Sequence, residues 1–317
     1  MLFVKDILYS YTERSDGIPF GKEGEESALC TSLSRFLGLL YNNILKWSTR
    51  IEVNMEVNEV RIAGEKDFES LRAFLARDEG WNKAYDKKDM SVWTRSDSQD
   101  SAFKMLRVKT EFSDVPASIL FDVIQDPDYR KTWDRHMLEY KNIGYLNPCN
   151  DIGYYSLSCP SPMKNRDFVI QSSWLQSPDE YIIINHSVSH KDYPKKRGFI
   201  RGISYLTGFL IQPKGKGCTV GYVTHSNPKG KFPNWVSNKL STTLAPKLVK
   251  RIHKACLKYN KWKAEHQPEL KPWKHSEQIE GKKFDLKDCV VEDETEITEE
   301  ADEIFDESAF NGSDSDD

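Results

Sequence analysis

Tyr181-Ile-Ile-Ile-Asn-His-Ser-Val-Ser-His190, Gly198-Phe-Ile-Arg-Gly-Ile-Ser-Tyr-Leu-Thr-Gly-Phe-Leu-Ile-Gln212 and Gly217-Cys-Thr-Val-Gly-Tyr-Val-Thr-His-Ser-Asn227 follow one another with short polar breaks, and Pro233 to about Trp262 then reads as one long helix. Strand runs joined by hairpin-length connections imply antiparallel pairing, and helices set at the ends of such a series imply an α+β class. Working upstream, strand signals recur at 166–176, 151–158, 137–146, 103–112, 92–95 and 81–85. Two short helices, 117–124 behind Asp114-Val-Pro116 and 126–134, divide them, because proline is suited to a first helical turn. A helix from Lys66 to Arg77 precedes them all, with Phe68, Leu71, Phe74 and Leu75 on one face and Gly80 beyond its end. The order is helix, three strands, two short helices, six strands, long helix, without internal repeat.

On the last helix Val236, Leu240, Leu244, Leu248, Ile252, Cys256 and Tyr259 form an apolar stripe, with Lys250, Lys254 and Lys258 on the opposite side. Pro246 lacks an N–H donor and is expected to kink or split the helix. Between Asp192 and Glu265 there is no acidic residue and there are 16 Lys or Arg. These basic residues sit on loops (Lys195, Lys196, Arg197; Lys214, Lys216; Lys229, Lys231) and on the last helix, not interleaved with aromatics as a nucleic-acid surface requires. An apolar face on the sheet with a cationic face outward suits anionic lipid, at roughly 1 kcal/mol per basic residue near a membrane. A solvated basic face is the plainer alternative.

The whole chain has 317 residues, 45 Lys+Arg against 49 Asp+Glu, 38% hydrophobic and 12% aromatic content, enough for a core. Its charge is uneven: 59–272 carries a net +11, 273–317 a net −13 and 1–57 a net −2. Between Glu292 and Glu307 there are 10 acidic residues and no basic one, and such a block cannot bury itself. The expected organisation is an N-terminal extension, 1–57, with an amphipathic helix near 27–47; a body, 58–275; and an acidic disordered tail, 276–317. The longest apolar run, Phe36–Leu45, is half of the ~20 residues a membrane crossing needs. Lys5 and Asp6 break the apolar start, which makes a poor signal peptide. Six scattered cysteines without a Cys-x-x-Cys pair suit a reducing cytosol. A cytoplasmic protein, peripheral on membranes, is the expectation.

Catalytic signatures are missing: no Gly-x-Gly-x-x-Gly, Gly-x-Ser-x-Gly, phosphate-binding Gly-rich loop or His-Glu-x-x-His occurs. His253 and Cys256 lie three apart on the last helix and read as packing. His186 and His190 lie four apart on one strand face without a visible third ligand. No enzyme, metal or cofactor is expected.

Four motifs in order, Asp128-Tyr-Arg-Lys-Thr-Trp-Asp134, Asp151-Ile-Gly-Tyr-Tyr155, Pro162-Met-Lys-Asn-Arg-Asp167 and Asn227-Pro-Lys-Gly-Lys-Phe-Pro-Asn-Trp235, resemble the signatures of a START (StAR-related lipid transfer) domain. The likeness covers about 59–275 and is strongest to the phosphatidylcholine transfer subgroup. It implies a helix-grip fold, a curved antiparallel sheet around the long C-terminal helix enclosing one lipid. It also implies a phosphate-binding arginine at Arg130 with its acidic partner Asp134, and an aromatic cage for choline at Tyr155, Phe168 and Tyr205. Two of these positions depart from the subgroup, with Tyr155 for a tryptophan and Phe168 for a tyrosine, so phosphatidylethanolamine is as open as phosphatidylcholine. Taken alone, Arg130 and Asp134 are an i,i+4 surface pair, and Tyr155 and Tyr205 are core residues. Asn165-Arg166-Asp167 reads as a turn stabiliser.

The functional expectation is a phospholipid carrier, a monomer in transient contact with anionic membranes through Lys195, Lys196, Arg197, Lys250 and Lys254. Ser313 and Ser315, each followed by acids, suit an acid-directed kinase such as casein kinase II, and added phosphate would make the tail compete with lipid for the basic body. The alternatives are a lipid-responsive adaptor acting through a protein partner and an enzyme using the enclosed cavity.

Overall fold

In the computed structural model, residues 55–87, 89–96, 104–159, 163–230 and 239–290 are described. The helix expected near 27–47, Val236, Lys231 and both tail serines lie outside them. The elements are α1 (Glu65–Ala76), β1 (Asn82–Lys87), β2 (Met90–Ser96), β3 (Lys104–Phe112), α2 (Ala117–Gln125), α3 (Pro127–Trp133), β4 (Met137–Asn147), β5 (Asn150–Leu157), β6 (Asn165–Gln176), β7 (Tyr181–Ser187), β8 (Phe199–Arg201), β9 (Ile203–Lys214), β10 (Gly217–Asn227) and α4 (Ala245–Glu265). Nine strands form a sheet in the order β1-β2-β3-β10-β9-β7-β6-β5-β4, antiparallel throughout, with β8 added in parallel to β6. The α+β expectation and its curved sheet are both observed.

One sheet face carries α1. Phe68, Leu71, Phe74 and Leu75 bury there against Met105, Ile182, Ile184, Leu206 and Val223. The approach is close at Gly208, where a Cβ would lie 2.7 Å from the Ile183 carbonyl and 2.9 Å from Leu71. The other face carries α2, α3 and α4: Phe121, Tyr129, Ile252, Cys256 and Tyr259 pack with Trp174, Ile183, Ile211 and Val220. Pro246 falls in the first turn of α4, immediately after a π turn over Leu240–Leu244, so the expected break is realised as a change of helix type. Two details of the stripe differ. Leu248 is 36% exposed, while Lys263 is buried against Asp126 at 3.0 Å, a lone cation that periodicity does not distinguish from its solvated neighbours.

The expected strand 198–212 is two strands: Phe199–Arg201 pairs in parallel with β6, the Gly202 N–H still bonds Asp167 O of β6, and from Ile203 the chain pairs with β10. The strand expected over 180–190 stops at Ser187. The body begins earlier than 58, since Met55 is buried in the α1 cluster and Asn58 N–H donates to Ser187 O.

The expected tail boundary also moves. Residues 276–290 do not leave the body: Tyr145 N–H donates to Lys282 O at 3.1 Å and Phe284 N–H to Tyr145 O at 2.9 Å, along the open edge of β4. Phe284 buries with Ile152, Tyr154, Val169 and Val188, and Val290 N–H reaches Ser189 O. A strap that covers an edge strand supplies partners for backbone groups that would otherwise template aggregation. Upstream, buried Asp122 fixes the path of the chain by taking Lys271, Lys274 and the Trp273 indole N–H.

Candidate functional site

α3 positions the site. Asp126 caps it, accepting from the N–H groups of Asp128 (3.1 Å) and Tyr129 (3.0 Å), and the same carboxylate takes the Tyr259 hydroxyl and Lys263 of α4. One turn on, Arg130 Nε donates to Asp134 Oδ2 at 3.1 Å, and the Tyr155 hydroxyl donates to the same oxygen at 3.1 Å. The guanidinium lies 5.1 Å over the Tyr155 ring and 5.7 Å over Trp133.

Arg130 keeps 35% of its side-chain surface, more than its surroundings suggest, since desolvation is the largest influence on it. The guanidinium therefore keeps accessible surface although protein surrounds it. Tyr140, Tyr155 and Tyr222 share this character, half-buried by area and raised in pKa, first of all by burial. Burial pulls Arg130 down, but Tyr155 and Asp134 more than offset it and hold the cation above its ordinary value. Asp134 takes only its Nε, and the Tyr155 hydroxyl also interacts with the guanidinium, which leaves donors of the fork for a ligand.

Arg130, Asp134, Tyr155 and Phe168 come together, the last two paired across β5 and β6 and Tyr140 paired with Tyr155 from β4. Tyr205 stands two strands away on β9, with its ring 4.6 Å from His225. Phe168 fixes the residue opposite: a Cβ on Gly202 would meet its ring at 2.4 Å. Gly202→Ala should therefore displace the Phe168 ring and lower stability by about 1–3 kcal/mol, read by denaturant unfolding. An unchanged midpoint would show that the ring is free to move.

One group on this face of the sheet escapes sequence reasoning. Asp151 is 8% exposed, accepts from Asn142 Nδ2 at 2.9 Å, and is pushed up to about 7 by desolvation. The alternation of β5 gives no sign of this, because a polar residue at a strand start reads as solvent-facing. Arg166, 1% exposed, donates to the carbonyls of Lys164, Pro228 and Lys229, so the Asn-Arg-Asp motif clamps two loops, as expected of a turn stabiliser.

The histidines are engaged in other contacts. His253 bonds Asp114 at 2.7 Å beside the Phe112 ring, and His186 bonds Glu59 O. Among the described residues His190, Asp192 and Asp288 bring ligand atoms within 4.8 Å, but Asp288 is paired with Lys191 and His190 Nδ1 accepts the Asp192 N–H. The loop cations Lys195, Lys196 and Arg197 are exposed, Lys196 with Glu139 at 3.7 Å, and Lys250, Lys254 and Lys258 are exposed on α4. No described helix is long and apolar enough to cross a membrane.

A START domain model matches residues 61–263, and the chain belongs to that family. It is 40% identical over 266 residues to the START domain-containing protein 10 of Mus musculus, covering 81% of this chain and 91% of the relative. It is 31% identical over 190 residues to the Bos taurus phosphatidylcholine transfer protein, covering 57% and 86% respectively. The crystal structure of human STARD10 superposes with a TM-score of 0.70 at 41% identity, covering 74% of this chain and 96% of that one. Neither relative's name describes an enzyme.

Proposed function

We propose that the protein binds one phospholipid in the space between sheet and α4 and transfers it between membranes. The observation that carries this is Arg130: a desolvated guanidinium, oriented through Nε by Asp134 and lying over Tyr155. A phosphodiester accepts such a fork in bidentate fashion. Phe168 and the tyrosines offer π faces to a choline or ethanolamine, worth about 0.5–2 kcal/mol each.

Magnitudes define the transfer mechanism. Two acyl chains hold roughly thirty methylenes, and at ~0.8 kcal/mol each their exposure to water would cost about 25 kcal/mol. The carrier must therefore dock and exchange lipid directly with the bilayer. The exposed cations of the loop 191–198 and of α4 fit an anionic surface, and exposed Leu257 (56%) and Leu248 beside them add apolar contact. Changing Lys195, Lys196, Arg197, Lys250 and Lys254 together to Glu should reduce transfer of fluorescent phosphatidylcholine to anionic vesicles by more than about tenfold and spare neutral ones. Equal transfer to both would refute the docking surface. An acidic C-terminal segment bearing Ser313 and Ser315 would oppose docking, more strongly once phosphorylated.

A further inference from the structure

Across the α4 side of the sheet, register aligns polar residues from neighbouring strands. Asp151 faces Ser172, Ser172 faces Asn185, Asn185 faces Thr207 and Thr207 faces Thr224, and Asn142 joins the row through its hydrogen bond to Asp151. The next row on that face is Trp174, Ile183, Phe209, Tyr222 and Val108, which packs under α4. In the other direction come Gly153 with Ile170, then Tyr155 with Phe168 at Arg130. A polar belt thus crosses an otherwise apolar wall between the closed end and the arginine.

The protein satisfies the belt only at its Thr207–Thr224 end, where both hydroxyls also reach Ser226. The side chains of Ser172 and Asn185 make no hydrogen bond among the described residues, and Asp151 has Asn142 as its one partner there. Thr207 and Thr224 bond each other at 2.9 Å. Among the described residues no charged side chain pairs with Asp151. Asp151 is buried with that one partner, and half-buried Ser172 and Asn185 have none among the described residues, so polar groups at this end of the row remain for a ligand.

We propose that the belt is a subsite for the ester carbonyls of the bound diacyl lipid, with Asp151, as the neutral acid, donating its proton in a hydrogen bond to one of them. This rests on the phospholipid reading above. The ester region of such a lipid is acceptor-only, and a carboxylic acid, a hydroxyl and an amide supply donors. Position agrees: Arg130 and Asp151 both act on Tyr140, which lies over Gly153 between them, so one phosphoglycerol unit can span phosphate and ester sites.

Asp151 is desolvated to about pKa 7, so the donor form is already substantial in the empty site. The titratable groups facing it are Tyr140 and Tyr145 on β4, both raised by burial and then by Asp151 itself, and Arg130 on α3 beyond Tyr140; β6 contributes none. The donor is full below the raised pKa and is lost as pH climbs through it, so ester recognition weakens upward from neutrality.

The test is competitive loading of the full chain from vesicles of diester phosphatidylcholine and its diether analogue, which has the same headgroup and lacks carbonyls, read by native mass spectrometry. Wild type should favour the diester about fivefold, as one hydrogen bond allows, and the preference should decline above neutral pH. Asp151→Leu should erase it, Asp151→Asn, which still donates, should keep it, and Asn185→Leu should weaken it. Equal loading of both lipids by wild type would overturn the ester subsite while leaving the carrier intact. Loss in Asp151→Asn equal to that in Asp151→Leu would also overturn it, pointing to a carboxylate that recognises a headgroup ammonium. Loading of neither lipid would remove the carrier reading and this inference with it.

Discussion

Replacing Arg130 with leucine is expected to lower phospholipid loading at least about a hundredfold. Each hydrogen bond to a charged partner contributes roughly 1.5–3 kcal/mol, and the open fork offers two. The site is desolvated, so water does not replace the lost donors. Arg130→Lys separates charge from geometry. It keeps a cation beside Asp134 but gives up the planar fork, so a loss of about tenfold is expected. Equal loading of wild type and Arg130→Leu in a vesicle uptake assay would mean that the phosphate sits elsewhere.

The second large effect concerns stability. Asp126→Ala should lower unfolding free energy by about 3–5 kcal/mol, because it leaves Lys263 buried without its counter-ion and removes the cap of α3 together. Asp126 is 2% exposed and joins α3 to α4 through Tyr259 and Lys263. Since α3 carries Arg130, loading should fall as well. Adding Lys263→Met should recover part of the loss, because an apolar side chain in that place carries no unpaired charge. A double variant as unstable as the single one would show that the cap and the tyrosine bond, not the ion pair, hold the helices.

Much of this architecture is legible in the sequence because one side chain in two or in three to four is buried, and burial writes its period into the chain. The strand series from 81 to 227 and the α1 face follow from that, and the break at Pro246 follows from its missing N–H. Arg130, Asp134 and Tyr155 are legible only through the motif that carries them, since spacing alone describes a surface ion pair. The features that escape have no local signal. Phe284 sits in a stretch rich in lysines and acids without strand or helix periodicity, and the open edge of β4 that receives it lies about 140 residues upstream. Asp151 joins the α4 side of the sheet only once the register of β4, β5 and β6 selects its face. Gly202 is required by the Phe168 ring, a neighbour 34 residues away.

Native mass spectrometry of the protein purified from a eukaryotic host, with extraction of its bound lipid, tests the carrier claim most directly. A one-to-one adduct with a diacyl phospholipid is the predicted result. An unliganded protein that also fails to take up fluorescent phospholipid from vesicles would contradict it.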